Sequence, residues 1–363
     1  MLPIYLFLIL GLVSCSDWAV IVSGSSGYWN YRHQAAAASA YQYYIKRGIP
    51  KQNIILFISS GVARDELNPF KGKLFSYPGL ESPNKLEGVD IEYSGEEVTA
   101  SKVLNVLAGN SFSAKRVLRS TYLDTVFFTV FEYGAPGVIT LPKDVIYGVD
   151  LQETVQVMKE KRMYKELVIT IDGEENGLLF SGMNLKEYNV KLVTPANQYI
   201  ENANIFCSPE DMVSGKSIGS CLNTEFAYTL FDGGRYTKRK EASQSNPFSN
   251  DGVAGIMTPK NQRGWSVYDS RFNHLLFRLT KDSKSIPLRR EMQNEDNTRN
   301  QIEQYFNAVT KNRNVHSKVH SISEWECYKR GVQRVEHLFF WNEYSYRFFG
   351  LIVNMCEQNK NSF

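Results

Sequence analysis

Cysteine and histidine are scarce in this chain, with five of each among 363 residues. Thiol, imidazole and soft-metal chemistry must therefore come from very few positions, and His33 is the only histidine before His274. Charge of one sign is also missing: Lys+Arg 41 against Asp+Glu 38 leaves a net +3, which points to neither a nucleic acid nor a membrane surface as partner. No Asn-x-Ser/Thr triplet occurs, so N-glycosylation is not expected. After residue 14 no span of about 20 apolar residues follows, which argues for a soluble mature protein with no membrane association once a leader is removed. The turn Gly24-Ser25-Ser26-Gly27 lacks both a following Lys-Ser/Thr and a spaced GxGxxG, and it reads as a strand-to-loop turn in preference to a phosphate cradle.

The long apolar run that is present stands at the amino terminus. Met1 to Ser14 has signal-peptide length, with Val13 and Cys15 as small residues before a cut near Ser16, although a basic start is absent. Leu12-Val13-Ser14-Cys15 also fits a lipoprotein cleavage box, so an acylated Cys15 or an uncleaved anchor are the alternatives. Removal of residues 1–15 leaves Cys207, Cys221, Cys327 and Cys356, an even number in an exported chain, and two disulfides are the simplest use of them.

The remaining sequence alternates strands with helices. Leu167-Val168-Ile169-Thr170-Ile171 runs into Asp172-Gly173-Glu174-Glu175-Asn176-Gly177, as a buried parallel strand does where it ends at a sheet's carboxyl edge. Thr125 to Phe131 ends the same way in Glu132-Tyr133-Gly134. Strands are also expected at 18–23, 53–58 and 189–194, and helices from 35 to 47 before Gly48-Ile49-Pro50, from Thr99 to Leu107, and from Asp150. The expected fold class is α/β, a mostly parallel sheet with right-handed crossovers and helices on both faces. Residues 59–92 read as a long loop, and the polar stretch 232–266 as an arm or insertion.

Two helical patterns close the chain. Val332, Val335 and Phe339, then Phe348, Phe349, Ile352 and Met355, recur at three- and four-residue intervals around an Asn342-Glu343 turn. Helices of similar length joined by a tight turn run antiparallel, which brings Cys327 beside Cys356 and predicts a disulfide clamping the open end of the hairpin.

At the strand tips, Glu132, Asp172, Glu174 and Glu175 gather four carboxylates. Metal binding or general acid/base work is one use of them. A helix start whose amides favour negative charge is the other, and the absence of an Asp-x-Asp-x-Asp spacing sides with it. No cofactor and no metal ligand set is expected.

Tyr28-Trp29-Asn30-Tyr31-Arg32-His33-Gln34, Tyr93-Ser94-Gly95-Glu96-Glu97-Val98-Thr99 and the two strand tips together resemble the legumain family, asparaginyl cysteine peptidases with a caspase-like fold. The catalytic subunit of the GPI transamidase shares that fold, but the helical carboxyl-terminal piece sides with legumain. The resemblance implies a caspase-like domain over 16–285 and, over 286–363, an activation-peptide-like linker beginning at Ile286-Pro287-Leu288 and a helical prodomain-like cap. It further implies that Cys207 pairs with Cys221, as a similar pair does in plant legumains. A second prodomain bridge of the family has no counterpart, since Phe339 stands at its first cysteine.

The same resemblance places Asn30 as the residue that orients the catalytic His and Gly134 on the oxyanion side. It places Arg32, His33 and Glu175 around the Asn-selecting pocket, and Thr224 where the family has an acidic pocket residue, unless Glu225 substitutes after a one-residue shift. The family's strand tips read Asp-His-Gly and Glu-Ala-Cys-Glu-Ser-Gly. Here Tyr133 stands at the His position and Glu174 at the Cys position, and Glu132 replaces the Asp that can cyclise to a succinimide. A thiolate with a nearby imidazole is what such a peptidase needs. A phenol with an ordinary pKa near ~10 is a poor base, and a carboxylate is a weak nucleophile toward an amide. Loss of such a pair costs on the order of 10⁶ in kcat.

The expectation is a catalytically inactive, secreted or endolysosomal protein that binds peptides, a cystatin-type inhibitor or an active legumain relative. The alternative is an asparaginyl-type endopeptidase retaining some proteolytic or carboxylate-based hydrolase activity.

Overall fold

A computed structural model describes residues 16–59, 61–112, 114–173, 176–195, 203–234, 253–255, 267–310, 319 and 321–363. The apolar run through Cys15 lies outside them, as do Glu174, Glu175, His316 and His320.

The apolar runs form strands β1 (Trp18–Ser23), β2 (Ile54–Ile58), β3 (Tyr93–Ser94), β4 (Thr125–Phe131), β8 (Glu166–Asp172), β9 (Val190–Thr194) and β14 (Val253–Gly255). These build one seven-stranded sheet in the order β14-β9-β8-β4-β1-β2-β3, in which every described pair is parallel. The fold class read from the sequence is thus the one observed. The order runs one way from β1 and the other way from β4, so the carboxyl ends of those two strands flank the topological switch point, where such sheets bind ligands.

Alternate residues of each strand face opposite sides, and both sides are covered. Val20, Val22, Phe128, Val130, Ile169 and Ile171 pack on helices α2 (Ala100–Leu107) and α3 (Gly148–Glu160). Ala19, Ile21, Phe127, Phe131 and Val168 pack on the Ala-rich face of α1 (Tyr31–Lys46) and on Phe226 of α4 (Glu225–Phe231). Helix α1 stops where expected: Gly48, at φ 94°, donates to Ile45 and the following Ile49 amide returns to Tyr44, which satisfies two otherwise orphan carbonyls.

The chain between β4 and α3 folds as an antiparallel sheet of β5 (Gly134–Ala135), β6 (Val138–Leu141) and β7 (Asp144–Tyr147), which the sequence reading did not separate out. Its apolar face is covered by the carboxyl-terminal helices α6 (Ile286–Thr310), α7 (Trp325–Phe339), α8 (Glu343–Tyr346) and α9 (Phe349–Gln358). Val138, Val145 and Tyr147 share one core with Ile302, Phe306, Tyr328, Val332, Phe349 and Ile352.

Both expected disulfides are present. Cys207 is bonded to Cys221 beside the small ribbons β10 (Asn204–Ile205) with β13 (Asn223–Thr224), and β11 (Met212–Val213) with β12 (Lys216–Ser217). Cys327 of α7 is bonded to Cys356 of α9.

Two expectations need correction. The stretch 232–266 is more than an arm, because its β14 pairs in parallel with β9 and forms the edge of the sheet. The turn of the last hairpin is not Asn342-Glu343: Phe340 and Trp341 make it with φ of 51° and 59°, after which Asn342 caps the short α8 by accepting from the Tyr344 amide. Helix α5 (Ser270–Lys281) was also not anticipated, and it lies against α6 and the Tyr28–Asn30 turn.

Candidate functional site

The tips of β1 and β4 and the start of α1 converge on Asn30. Its amide is fully used: Nδ2 donates to the Ser26 carbonyl at 2.8 Å and to Glu343 Oε1 at 3.2 Å, while Oδ1 accepts from the Tyr133 hydroxyl at 2.6 Å and from Arg32 Nη1 at 3.2 Å. Four of the residues singled out from sequence therefore meet in space, namely Asn30, Arg32, His33 and Tyr133. Gly134 follows in β5, its carbonyl accepting from Tyr268 at 3.1 Å.

Tyr133 is enclosed on every side that the structure describes. The Arg32 guanidinium lies 5.2 Å from the centre of its ring, His33 meets it edge-on at 5.4 Å, and Tyr346 approaches from the carboxyl-terminal helices at 6.1 Å. Burial raises the pKa of the Tyr133 hydroxyl beyond the ordinary phenol range, against the lowering effect of Arg32, so the group is a neutral donor at any working pH. His33 is held neutral as well, first by burial and then by the adjacent Arg32, and its Nδ1 pairs with Ser25 Oγ at 2.6 Å.

Glu132 is buried beside Tyr133. Burial pushes its carboxyl well above the usual range, and the Tyr133 amide and Arg32 only partly offset that. Asp172, at the end of β8, accepts from Thr224 Oγ1 at 2.6 Å; the same hydroxyl caps α4 by accepting from the Ala227 amide at 3.1 Å. Thr224 is thus a structural bridge to the Asp172 tip.

Gly173 follows at a place where a side chain has no room. A Cβ there would stand 2.8 Å from the Glu132 carbonyl and 3.2 Å from the Gly134 amide, so the glycine lets the β4 and β8 tips lie side by side.

Among the described residues no free thiol exists, since the four cysteines are paired. His274 lies on α5 with Nδ1 against the Gly219 carbonyl at 2.8 Å, and His337 is exposed on α7. No cluster of three or more metal-ligating side chains occurs among the described residues.

Two residues that the sequence reading passed over complete the site. Trp29 Nε1 donates to Glu343 Oε1 at 2.7 Å, so the carboxyl-terminal helices place a carboxyl directly on the Trp29-Asn30 edge. A small polar recess of about 30 Å³ lies there, lined by Ser25, Asn30, Glu132, Tyr133, Glu343 and Tyr346 among others. Chemically, the arrangement offers neutral donors and acceptors and two carboxyls.

The peptidase C13 family profile matches residues 17–250. The chain belongs to the peptidase C13 family. Within it, the chain is 32% identical to a hemoglobinase of Schistosoma japonicum over 211 residues, covering 58% of this chain and 48% of that one. It is 31% identical to legumain of Canavalia ensiformis over 223 residues, or 59% and 46% of the two chains. Against the vacuolar-processing enzyme of Phaseolus vulgaris it is 35% identical over 198 residues, or 52% and 39%. The chain spans about half the length of the curated relatives it matches. The C13 match ends before α5, so the site's Glu343 and Tyr346 lie beyond the matched span. Among the described residues no helix is long and apolar enough to cross a membrane.

Proposed function

We propose that this C13-family chain is a peptidase fold without peptidase chemistry, acting in the secretory or endolysosomal pathway by binding. Its partners would be a peptide, a cystatin-type inhibitor or an active relative. The observation that supports this reading is the 2.6 Å bond from the Tyr133 hydroxyl to Asn30 Oδ1. Asn30 is the residue that, by resemblance, would hold an imidazole; the group it holds here is a phenol. A buried neutral phenol cannot take a proton from a nucleophile or return one to a leaving amine. Glu174 stands at the position where the thiolate would be required, and the four cysteines that could replace it are bonded to one another.

On the same reading, residues 16–285 are the binding domain and 286–363 the linker and cap. Arg32, His33 and Glu175 are retained as its rim, with Arg32 contributing charge, while Thr224 replaces the family's acidic pocket residue and holds the Asp172 tip in place. The Tyr133 ring is 2% exposed, so a partner reaching this edge must first displace α8.

A second reading rests on Glu132. Its buried carboxyl stays protonated above the ordinary range and lines the recess, which is the state a general acid needs. A carboxylate-based hydrolase is what that feature would serve.

The double change Tyr133→His with Glu174→Cys tests the first reading. Restoration of thiol-inhibitable cleavage after Asn is the expected result. Cleavage of Asn-containing peptides by the unaltered protein, lost in Glu132→Gln, would favour the second.

A further inference from the structure

The sheet has a second edge, opposite the site, where its parallel strands begin. Asp124, the residue before β4, is 4% exposed there, and its two carboxylate oxygens are turned to different partners. Oδ2 accepts from the Thr121 amide at 2.7 Å and from its hydroxyl at 3.0 Å, which closes the turn into β4. Oδ1 accepts from the backbone nitrogen of Ser16 at 2.8 Å, across 108 residues of sequence.

Ser16 is held from its other side as well. Asn53, the buried residue before β2, donates from Nδ2 to Ser16 Oγ at 2.8 Å and to the Asp17 carbonyl at 3.2 Å. Asp17 Oδ1 accepts from the Thr125 amide at 3.0 Å, and the next residue, Trp18, enters the sheet opposite Val126. Contacts to both strands that flank β1 therefore fix the Ser16 nitrogen on the Asp124 carboxylate.

The donors that hold this buried carboxylate are two backbone amides and a hydroxyl, all neutral. A charge taken out of water is costly unless an opposite charge answers it. The nitrogen 2.8 Å from Oδ1 is the atom that becomes a cation when the chain is cut before Ser16. The apolar run ends immediately ahead, with Val13 and Cys15 as the small residues before that bond.

We propose that Asp124 is the receptor for the amino-terminal ammonium of the processed chain, created by hydrolysis of the Cys15–Ser16 bond. In that step a leader peptidase adds water across the amide and its C–N bond breaks. The Cys15 acyl carbon takes the water oxygen as a carboxylate, and the Ser16 nitrogen takes both water protons as an ammonium. A charged donor then stands where a neutral amide stood, so processing tightens the start of β1 on the starts of β2 and β4. A cut one residue earlier, as an acylated Cys15 requires, leaves the Ser16 nitrogen a neutral amide, and a cut one residue later removes it. This edge lies away from the site, so the proposal is independent of what the site binds.

The exported chain gives the first test. Intact mass and amino-terminal sequencing of the protein secreted by an expressing cell should find Ser16 as the first residue, with a free amine. A chain that keeps residues 1–15, begins at any other residue, or carries lipid on Cys15 would overturn the proposal.

The second test compares the chain beginning at Ser16 with the same chain acetylated at its amino terminus. Only the free amine carries the charge. Its unfolding constant in urea should be at least about threefold smaller, within the range for an ion pair whose Ser16 side is partly exposed. In Asp124→Asn, which keeps an acceptor oxygen but no charge, acetylation should make no difference. No effect of acetylation in the unaltered chain, or the same effect in Asp124→Asn, contradicts the pairing. One check needs no variant: an amine-acylating reagent should label the Ser16 α-amine of the folded chain at least about tenfold more slowly than that of the urea-unfolded chain. Equal labelling rates would contradict the pairing as well.

Discussion

Tyr133 and Asn30 are joined by a 2.6 Å hydrogen bond across 103 residues, tying the tip of β4 to the start of α1. The pairing fixes which side chain Asn30 serves, because the remaining acceptor capacity of its Oδ1 goes to Arg32 and both hydrogens of its Nδ2 are committed.

Removing only that hydroxyl measures the bond. Tyr133→Phe keeps the ring packing on Arg32, His33 and Tyr346, and Asn30 Oδ1 keeps its Arg32 donor, so the loss should be about 1 kcal/mol of unfolding free energy. Urea unfolding checks it.

A buried ion pair outside the site should cost far more to break. Lys85 Nζ meets Asp232 Oδ1 at 2.6 Å with side chains 10% and 1% exposed, and Ser76 and Asn223 donate to the same carboxylate. Asp232→Ala leaves the ammonium unpaired and should destabilise by about 3–5 kcal/mol. Removing both partners as Lys85→Met with Asp232→Leu should recover much of that in the same unfolding measurement.

Acid should weaken the fold through His274. Burial lowers its pKa to about 4, against an ordinary 6.5. The unfolded chain therefore takes up the proton first, and the stability this histidine contributes is present above pH 6.5 and lost as pH falls through the window down to about 4. His274→Gln should flatten the stability curve over that window, read by thermal unfolding at a series of pH values.

The Cys327–Cys356 bridge closes 29 residues of the cap. In the chain-entropy view, Cys327→Ser with Cys356→Ser should cost about 3.5 kcal/mol, and limited proteolysis should then cut the last two helices sooner than the sheet domain.

The sheet was readable because each strand is a run of β-branched and aromatic residues ending in small or acidic ones, as in Val126-Phe127-Phe128-Thr129-Val130-Phe131 before Glu132. Spacing alone also placed the α7 and α9 helices and their bridge, whereas the 25-residue α6 was read as a linker and α8 was not separated out. The β5–β7 sheet escaped notice although its signals are present: Pro136-Gly137 and Pro142-Lys143 punctuate two four-residue strands. At the site, the residues named from motif position, Asn30, Arg32, His33 and Tyr133, lie in contact with one another. Trp29 and Glu343 were missed because their contact joins a three-residue helical turn to a four-residue helix more than three hundred residues away. No local pattern encodes such a contact. Thr224 sits among the pocket residues by motif, yet its hydroxyl is spent on Asp172 and the α4 amide, which only the fold reveals.

The most direct measurement is turnover of Asn-containing peptides by the purified, acid-treated chain, run beside Glu174→Ala and beside protein treated with a thiol-alkylating reagent. No cleavage above the buffer control is expected from any of the three. Cleavage by the unaltered chain that either treatment abolishes would contradict the assignment of a peptidase fold without peptidase chemistry.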